Sequence, residues 1–506
     1  MYCFNDNIMR KIIILIIIII TGYSYGVAQI KSLDFKQISK DNIVNIIDTL
    51  TSEYFEGRHI SANDKLLSYF SNYYSTIGLD SINNNDYIQD FTFFKYKKYS
   101  DSSYIKYGDK KLEIGKDFIH SLWDYQEDFN NTRQPLNTRI LFAGNPPNSL
   151  DSLLKWNDLQ GKSILAFNQN RNFFNTAQHK GATSIIIIEP NQERFEKTRA
   201  NQKITLYMLE VLSYYTKEPE TKTFTKIYLS PKAGAKLLGI KQSKLSRYRT
   251  KYPHTKDSIH YNIPQEITLN IHREKQYINS GNIVGYIQGT DTNEEHIIVS
   301  AHYDHLGKNE YGTYPGANDN ASGVSAMLEI ARVLAAAQKE GIRPKRSILF
   351  VAFGMEESRM LGSNHYIENP ILPLEKLKAN INMDMIGRQD KYHDSIPNYI
   401  YALGPDSLTN PIKHLMDSIN NVHHFVQLEF LDNYPDAKRF FSKSSDQVNF
   451  LKQGIPAVLI NNGIHKDLHQ FTDTKDKLNY ETIENVTKLM LMSVWELANL
   501  NDGFYE

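Results

Sequence analysis

From about residue 278 onward, short continuous apolar runs alternate with amphipathic stretches. NIVGYIQG (282–289), HIIVSAH (296–302), SILFVAF (347–353), KANINMD (378–384) and GIPAVLI (454–460) are short and rich in Ile, Val and Phe, which predicts buried strands. Residues 322–341 instead space Val324, Met327, Leu328, Ala331, Leu334 and Ala335 at helical intervals. Asn320 or Ser322 is the expected start of that helix and Gly341 its expected stop. IENVTKLMLMSVWELAN (483–499) predicts a closing helix. Strand and helix in alternation imply an α/β domain with a mostly parallel or mixed central sheet flanked by helices. Ligands of such sheets bind beyond the carboxyl ends of the strands.

Upstream the pattern changes. NIVNIIDTLTSEYFEGR (42–58) and LLSYFSNYYSTIGLD (66–80) carry helix-like apolar spacing. Between about 93 and 274 the chain is rich in Tyr and Lys, with strand-like runs TRILFAG, KSILAF and TSIIIIEP between turn residues. That predicts a separate β-rich domain. Arg10 and Lys11 precede IIILIIIII (12–20), and small residues follow as far as Ala28. This is the layout of an export signal at 1–28, and nine strongly apolar residues fall short of the about 20 that span a bilayer. The expected product is periplasmic or extracellular and has no stable membrane insertion. Its expected organisation is 29–92 with 275–506 as one domain, interrupted by 93–274. Cys3, the only cysteine, lies inside the leader, so the mature chain has neither disulfides nor thiol chemistry.

Charge narrows the function classes. Lys plus Arg and Asp plus Glu both number 57, so the net charge is zero and the basic footprint of a nucleic-acid binder is missing. The informative charges stand at the predicted strand ends. After HIIVS come His302, Asp304 and His305; Asp319 lies in the next loop; SILFVAF leads to Glu356 and Glu357; KANINM leads to Asp384; His469 and Asp473 stand near the end. Taken singly, each has an ordinary reading as a cap, a turn former or a solvated corner. Together they are imidazoles and carboxylates at one rim of one sheet, the donor set that zinc prefers.

In the order AHYDHLG, GANDNASG, FGMEESRMLGSNHY, NINMDMIG and a His shortly before an Asp-Thr pair, the chain resembles the M28 family of zinc peptidases, most of which are aminopeptidases. FEGR (55–58) is similar to the family's N-terminal part. The middle zone resembles a protease-associated (PA) domain in DLQGKSILAF, HKGATSIIIIEP and LSPKAGAKLLG. The resemblance implies two zinc ions, one held by His302, Asp319 and Asp384, the other by Asp319, Glu357 and His469. It implies Glu356 as general base and Asp304 as the residue that orients His302 through its second ring nitrogen. It implies peptide substrates and an Asp319–Asn320 bond that is often cis in relatives. His465 is a rival to His469, which is preferred because Asp473 and Thr474 follow it at the family spacing; His305 reads as a loop residue. Gln447 stands where relatives often carry His, and Asn318 where many carry Asp. Carboxypeptidase and glutaminyl cyclase are alternative activities of related scaffolds, and a binding protein with a dead peptidase fold is a third reading.

Overall fold

The computed structural model describes residues 35–59, 63–81, 86–99, 103–120, 135–145, 159–167, 171–201, 214–215, 225–251, 266–271, 273–291, 293–393, 395–430 and 443–501. The expected export signal and its cleavage point after Ala28 lie outside the described residues. The chain divides into two compact units, with boundaries at Thr92/Phe93 and Ile278/Asn279. Among the described residues, no helix is long and apolar enough to cross a membrane.

The first unit is built on a mixed sheet. Its strands are β1 (Ile88–Tyr99), β2 (Arg273–Ile287), β3 (His296–His302), β4 (Ser347–Phe353), β5 (Leu377–Met383), β6 (Tyr399–Leu403), β7 (Gln427–Glu429) and β8 (Ala457–Asn461). They lie in the order β7-β6-β8-β5-β3-β4-β2-β1. The centre, β8-β5-β3-β4, is parallel, and β6 and β2 join it antiparallel. Parallel strands need crossovers, which helices between them supply, and further helices stand before β1 and after β8. These are α1 (Lys40–Leu50), α2 (Asn63–Ile77), α3 (Gly323–Lys339), α4 (Leu361–Glu368), α5 (Asp406–His423), α6 (Gln447–Leu451) and α7 (Tyr480–Asn499).

Strand alternation explains why both faces are covered. Ile297 and Val299 of β3 pack with Ile43, Leu66, Val324, Ile412 and Val486 from α1, α2, α3, α5 and α7. Ile298 between them packs on the opposite face with Tyr366 of α4 and Phe450 of α6. A strand buried on both faces cannot alternate apolar with polar, so it reads as a continuous apolar run. The second unit carries an eight-stranded sheet. Leu136–Gly144, Lys162–Ala166, Ser184–Ile188 and Thr225–Leu229 form its parallel centre. Separate apolar clusters cover this sheet as well.

One expectation needs correction, and another resolves to one of its two candidates. The helix-like spacing of 42–58 continues as helix only to Leu50. Glu53–Arg58 is a tight turn in which Glu56, Gly57 and Arg58 all have positive φ. Only glycine fits at position 57, where a Cβ would stand 2.3 Å from the Gly307 carbonyl oxygen. At the start of α3, Ser322 precedes the helix, but the side chain that accepts the Gly323 amide is Asn320, at 3.0 Å. Gly341, with φ +83°, follows its end as expected.

The turn at 53–58 delivers Arg58 into the interior, fully buried. Its Nε donates to the Tyr303 carbonyl (2.9 Å). Nη1 donates to Leu50 (3.2 Å) and Pro315 (2.7 Å), and Nη2 to Gly316 (2.7 Å) and Asp319 (3.0 Å). All five guanidinium donors therefore have partners. Burial lowers the Arg58 pKa to about 10, against the pull of Asp319, Asp473, Asp304 and Glu357, so the side chain stays charged at neutral pH. Arg58→Met should cost about 3–5 kcal/mol of folding stability, because five main-chain acceptors, four of them in buried bonds, lose their donor. Arg58→Lys, with three donors, should recover only part. Urea unfolding at an unchanged slope checks this; a midpoint equal to the parent's would refute it.

Candidate metal centre

The carboxyl ends of β3, β4, β5 and β8 converge. His302 is the last residue of β3, and Asp384 follows β5 directly. Asp319 lies in the turn between β3 and α3, where its bond to Asn320 is cis. Glu356 and Glu357 follow β4, and His469 lies on the loop after β8. Several side chains at this rim sit on left-handed backbone: Met355, Arg359, Met360, Met385, Ser445 and His469 all have φ between +56° and +68°. Non-glycine residues hold such angles only where their surroundings enforce them, and such positions gather at functional sites.

Two groups of donors face each other across Asp319. His302 Nε2 stands 3.3 Å from Asp319 Oδ1 and 3.3 Å from Asp384 Oδ1. His469 Nε2 stands 3.1 Å from Asp319 Oδ2 and 3.2 Å from Glu357 Oε2. Two donors about 2.0–2.1 Å from a tetrahedral zinc ion are separated by about 3.3–3.4 Å. All four separations come close to that edge length, and Asp319 presents a different oxygen to each group. The residues present therefore fit two metal ions with Asp319 between them. His302, Asp319 and Asp384 together have a metal-holding arrangement, as do His305, Asp319 and Glu357.

The supporting contacts differ from the expected ones at Asp304 and at His305. Asp304 was expected to accept from His302 Nδ1 through its carboxylate, but that oxygen is 3.7 Å away, and the Asp304 main-chain carbonyl is nearer at 3.2 Å. The Asp304 carboxylate instead accepts the amides of Glu356 (2.9 Å) and Glu357 (3.2 Å). It fixes the turn that presents both glutamates, so they diverge from a pinned turn and not from an extended strand end. His305, read as a loop residue, is buried with Nδ1 2.8 Å from Glu357 Oε1. Gln447 is buried beneath the rim, accepting from Asn382 at 3.2 Å and donating to the Ser444 carbonyl at 2.6 Å.

Sequence reasoning missed two structural roles here. Asp473 was only a spacing marker, yet its buried carboxylate accepts the amides of Asn318 and Asp319 at 3.1–3.2 Å. Arg58 was only part of FEGR, and it holds the Asp319 carbonyl. No spacing rule finds either contact, although the Asp-Thr pair and the Gly-Arg pair were visible. The rival His465 is buried away from hydrogen-bond partners among the described residues, and burial together with Arg388 lowers its pKa to about 4. The Asn318 side-chain oxygen accepts the Gly387 amide (2.8 Å), a contact an amide serves as well as a carboxylate.

Residues 282–494 match Peptidase family M28. The aminopeptidase YwaD of Bacillus subtilis is 40% identical over 110 residues, 21% of this chain and 22% of that protein. A probable zinc metalloprotease of Pyrenophora teres f. teres is 27% identical over 244 residues, 44% of this chain and 49% of that protein. The chain thus spans less than two thirds of the length of these curated relatives. An aminopeptidase from Aneurinibacillus sp. strain AM-1 shares the fold, with 19% identity, a TM-score of 0.50, and coverage of 94% of this chain and 97% of that one.

Electrostatics make metal loading pH-dependent. Burial disfavours the imidazolium forms of His302 and His469, but the facing carboxylates outweigh it and raise both, His469 to about 11. Below those values the metal-free protein keeps a proton on each ring, and an incoming metal ion must displace it. Apparent zinc affinity should therefore weaken as pH falls from about 9 to about 6, with protons released on binding. Calorimetry in buffers of different ionisation enthalpy checks this, and binding without proton release near pH 7 would contradict it.

Proposed function

We propose that this chain is an exported dizinc aminopeptidase that removes N-terminal residues from peptides. The observation that carries the reading is the pair of donor groups sharing Asp319, with Glu356 next to them and outside both. His302, Asp319 and Asp384 would hold one zinc ion, and Asp319, Glu357 and His469 the other. Bound there, the ions would supply Lewis-acid polarisation of the scissile carbonyl and acidify a water molecule.

Glu356 does the proton work. Burial first, then neighbouring Glu357, Asp384 and Asp446, push its carboxyl well above the usual carboxylate range in the metal-free protein, with His302 opposing them. Added positive charge nearby favours the carboxylate form, which a base requires. Glu356 takes the proton from water as the oxygen attacks the carbonyl, and passes it to the departing amine as the C–N bond breaks. Asp304 holds the amides on either side of this step, so the base and the adjacent metal donor keep their relative orientation. The second compact unit is read as a PA-like insert, and the apolar leader supports export to the periplasm or the medium.

Glu356→Gln should retain bound zinc and lower kcat by about 10²–10⁴-fold. Elemental analysis beside steady-state kinetics separates the two effects, and turnover near the parent's would remove Glu356 as the base. Hydrolysis of free and N-acetylated aminoacyl-arylamides tests the activity itself. Cleavage of the free series alone, lost with a chelator and restored by zinc, is expected. Two bound zinc ions without cleavage would favour a carboxypeptidase or a cyclase, and absence of both metal and cleavage would favour a binding protein.

A further inference from the structure

Glu357 lies between two imidazoles. His469 faces its Oε2 and His305 faces its Oε1, and the two rings stand edge to face with centroids 6.0 Å apart. Residue type alone makes both histidines candidate donors to the same ion. Distances separate them. His469 Nε2 keeps 3.1 and 3.2 Å to its two carboxylate oxygens, near the edge of a zinc coordination tetrahedron. His305 Nδ1 is 2.8 Å from Glu357 Oε1, a hydrogen-bond length, and 3.8 Å from Asp319 Oδ2, longer than such an edge.

We propose that His305 is a positioning residue: it donates its Nδ1–H to Glu357 Oε1 and so commits Oε2 to the metal. This rests on the dizinc reading above, and concerns one residue outside both donor groups. The fold holds the ring in place. The His305 amide donates to the Arg58 carbonyl at 3.1 Å, and its side chain is completely buried. A Cβ on Gly316 would meet His305 Cδ2 at 2.5 Å, so the glycine lets the loop close on the ring. The far nitrogen, Nε2, is buried with no hydrogen-bond partner among the described residues. A proton on Nδ1 meets a carboxylate, whereas a proton on Nε2 meets nothing, which selects the Nδ1–H tautomer. With one oxygen engaged, the glutamate loses its freedom to turn about its last side-chain bond. Such outer contacts to a ligating carboxylate typically alter metal affinity about 10–100-fold.

The test uses zinc alone, titrated into metal-free full-length protein against a chromophoric chelator, with the cobalt(II) absorption spectrum as a second readout. His305→Leu should still bind two ions at saturation, with the weaker-held ion lowered in affinity about 10–100-fold. His305→Asn, whose amide nitrogen stands close to the place of Nδ1, should recover most of that loss. His469→Ala should bind a single ion. Leu and parent affinities that agree within error would overturn the proposal. So would a single ion in both the Leu and Asn variants, which would make His305 a donor itself; should the Leu variant fail to fold, His305→Ala takes its place in the same comparison. A parent that binds no zinc would instead refute the dizinc reading, which keeps the two failures distinct.

Discussion

Arg58 places its five N–H donors on main-chain carbonyls from three stretches of chain: Leu50 at the end of a helix, Tyr303 after a central strand, and 315–319 in the loop that carries the shared aspartate. Among the described residues these stretches share no ladder with one another, and all of these carbonyls but that of Pro315 are in buried bonds. Without a donor each would be stranded away from water. One guanidinium therefore turns three loose ends into one floor beneath the proposed metal donors. Its positive charge also sits below a group of carboxylates that would otherwise repel one another.

The same device recurs with the sign reversed. Asp304 and Asp473 spend their carboxylates on main-chain amides, one pair at Glu356–Glu357 and the other at Asn318–Asp319. Each acid holds a loop by its backbone, leaving the side chains of that loop free to face a ligand. The acids at this rim thus divide into those that grip the chain and those that are presented by it. Residue type does not distinguish the two kinds.

That division marks what could be read in the sequence. The central strands and the helix at 323–339 were legible because periodicity and β-branched content report burial directly. That the His and acidic residues proposed as metal donors gather at one rim was legible because their chemistry is unusual at strand ends. His305 and Asp304 were misjudged for a common reason. Both neighbour a recognised histidine in sequence, and their partners depend on how a turn 50 residues away closes. The turn at 53–58 was taken for helix because Phe55 continues an apolar spacing, while the left-handed geometry at Gly57 follows from a close approach to Gly307 that no local pattern encodes.

The chain leaves the first unit at Thr92 and returns at Asn279, and these two residues touch, Thr92 Oγ1 donating to Asn279 Oδ1 at 2.9 Å. They belong to β1 and β2, neighbours in the sheet. The ends of the intervening segment are thus brought together by the sheet itself, whatever lies between them. The entropic cost of closing a loop grows only logarithmically, by about 0.6 kcal/mol for each doubling of length. A segment of almost any length can therefore be carried at this junction for little added entropic cost.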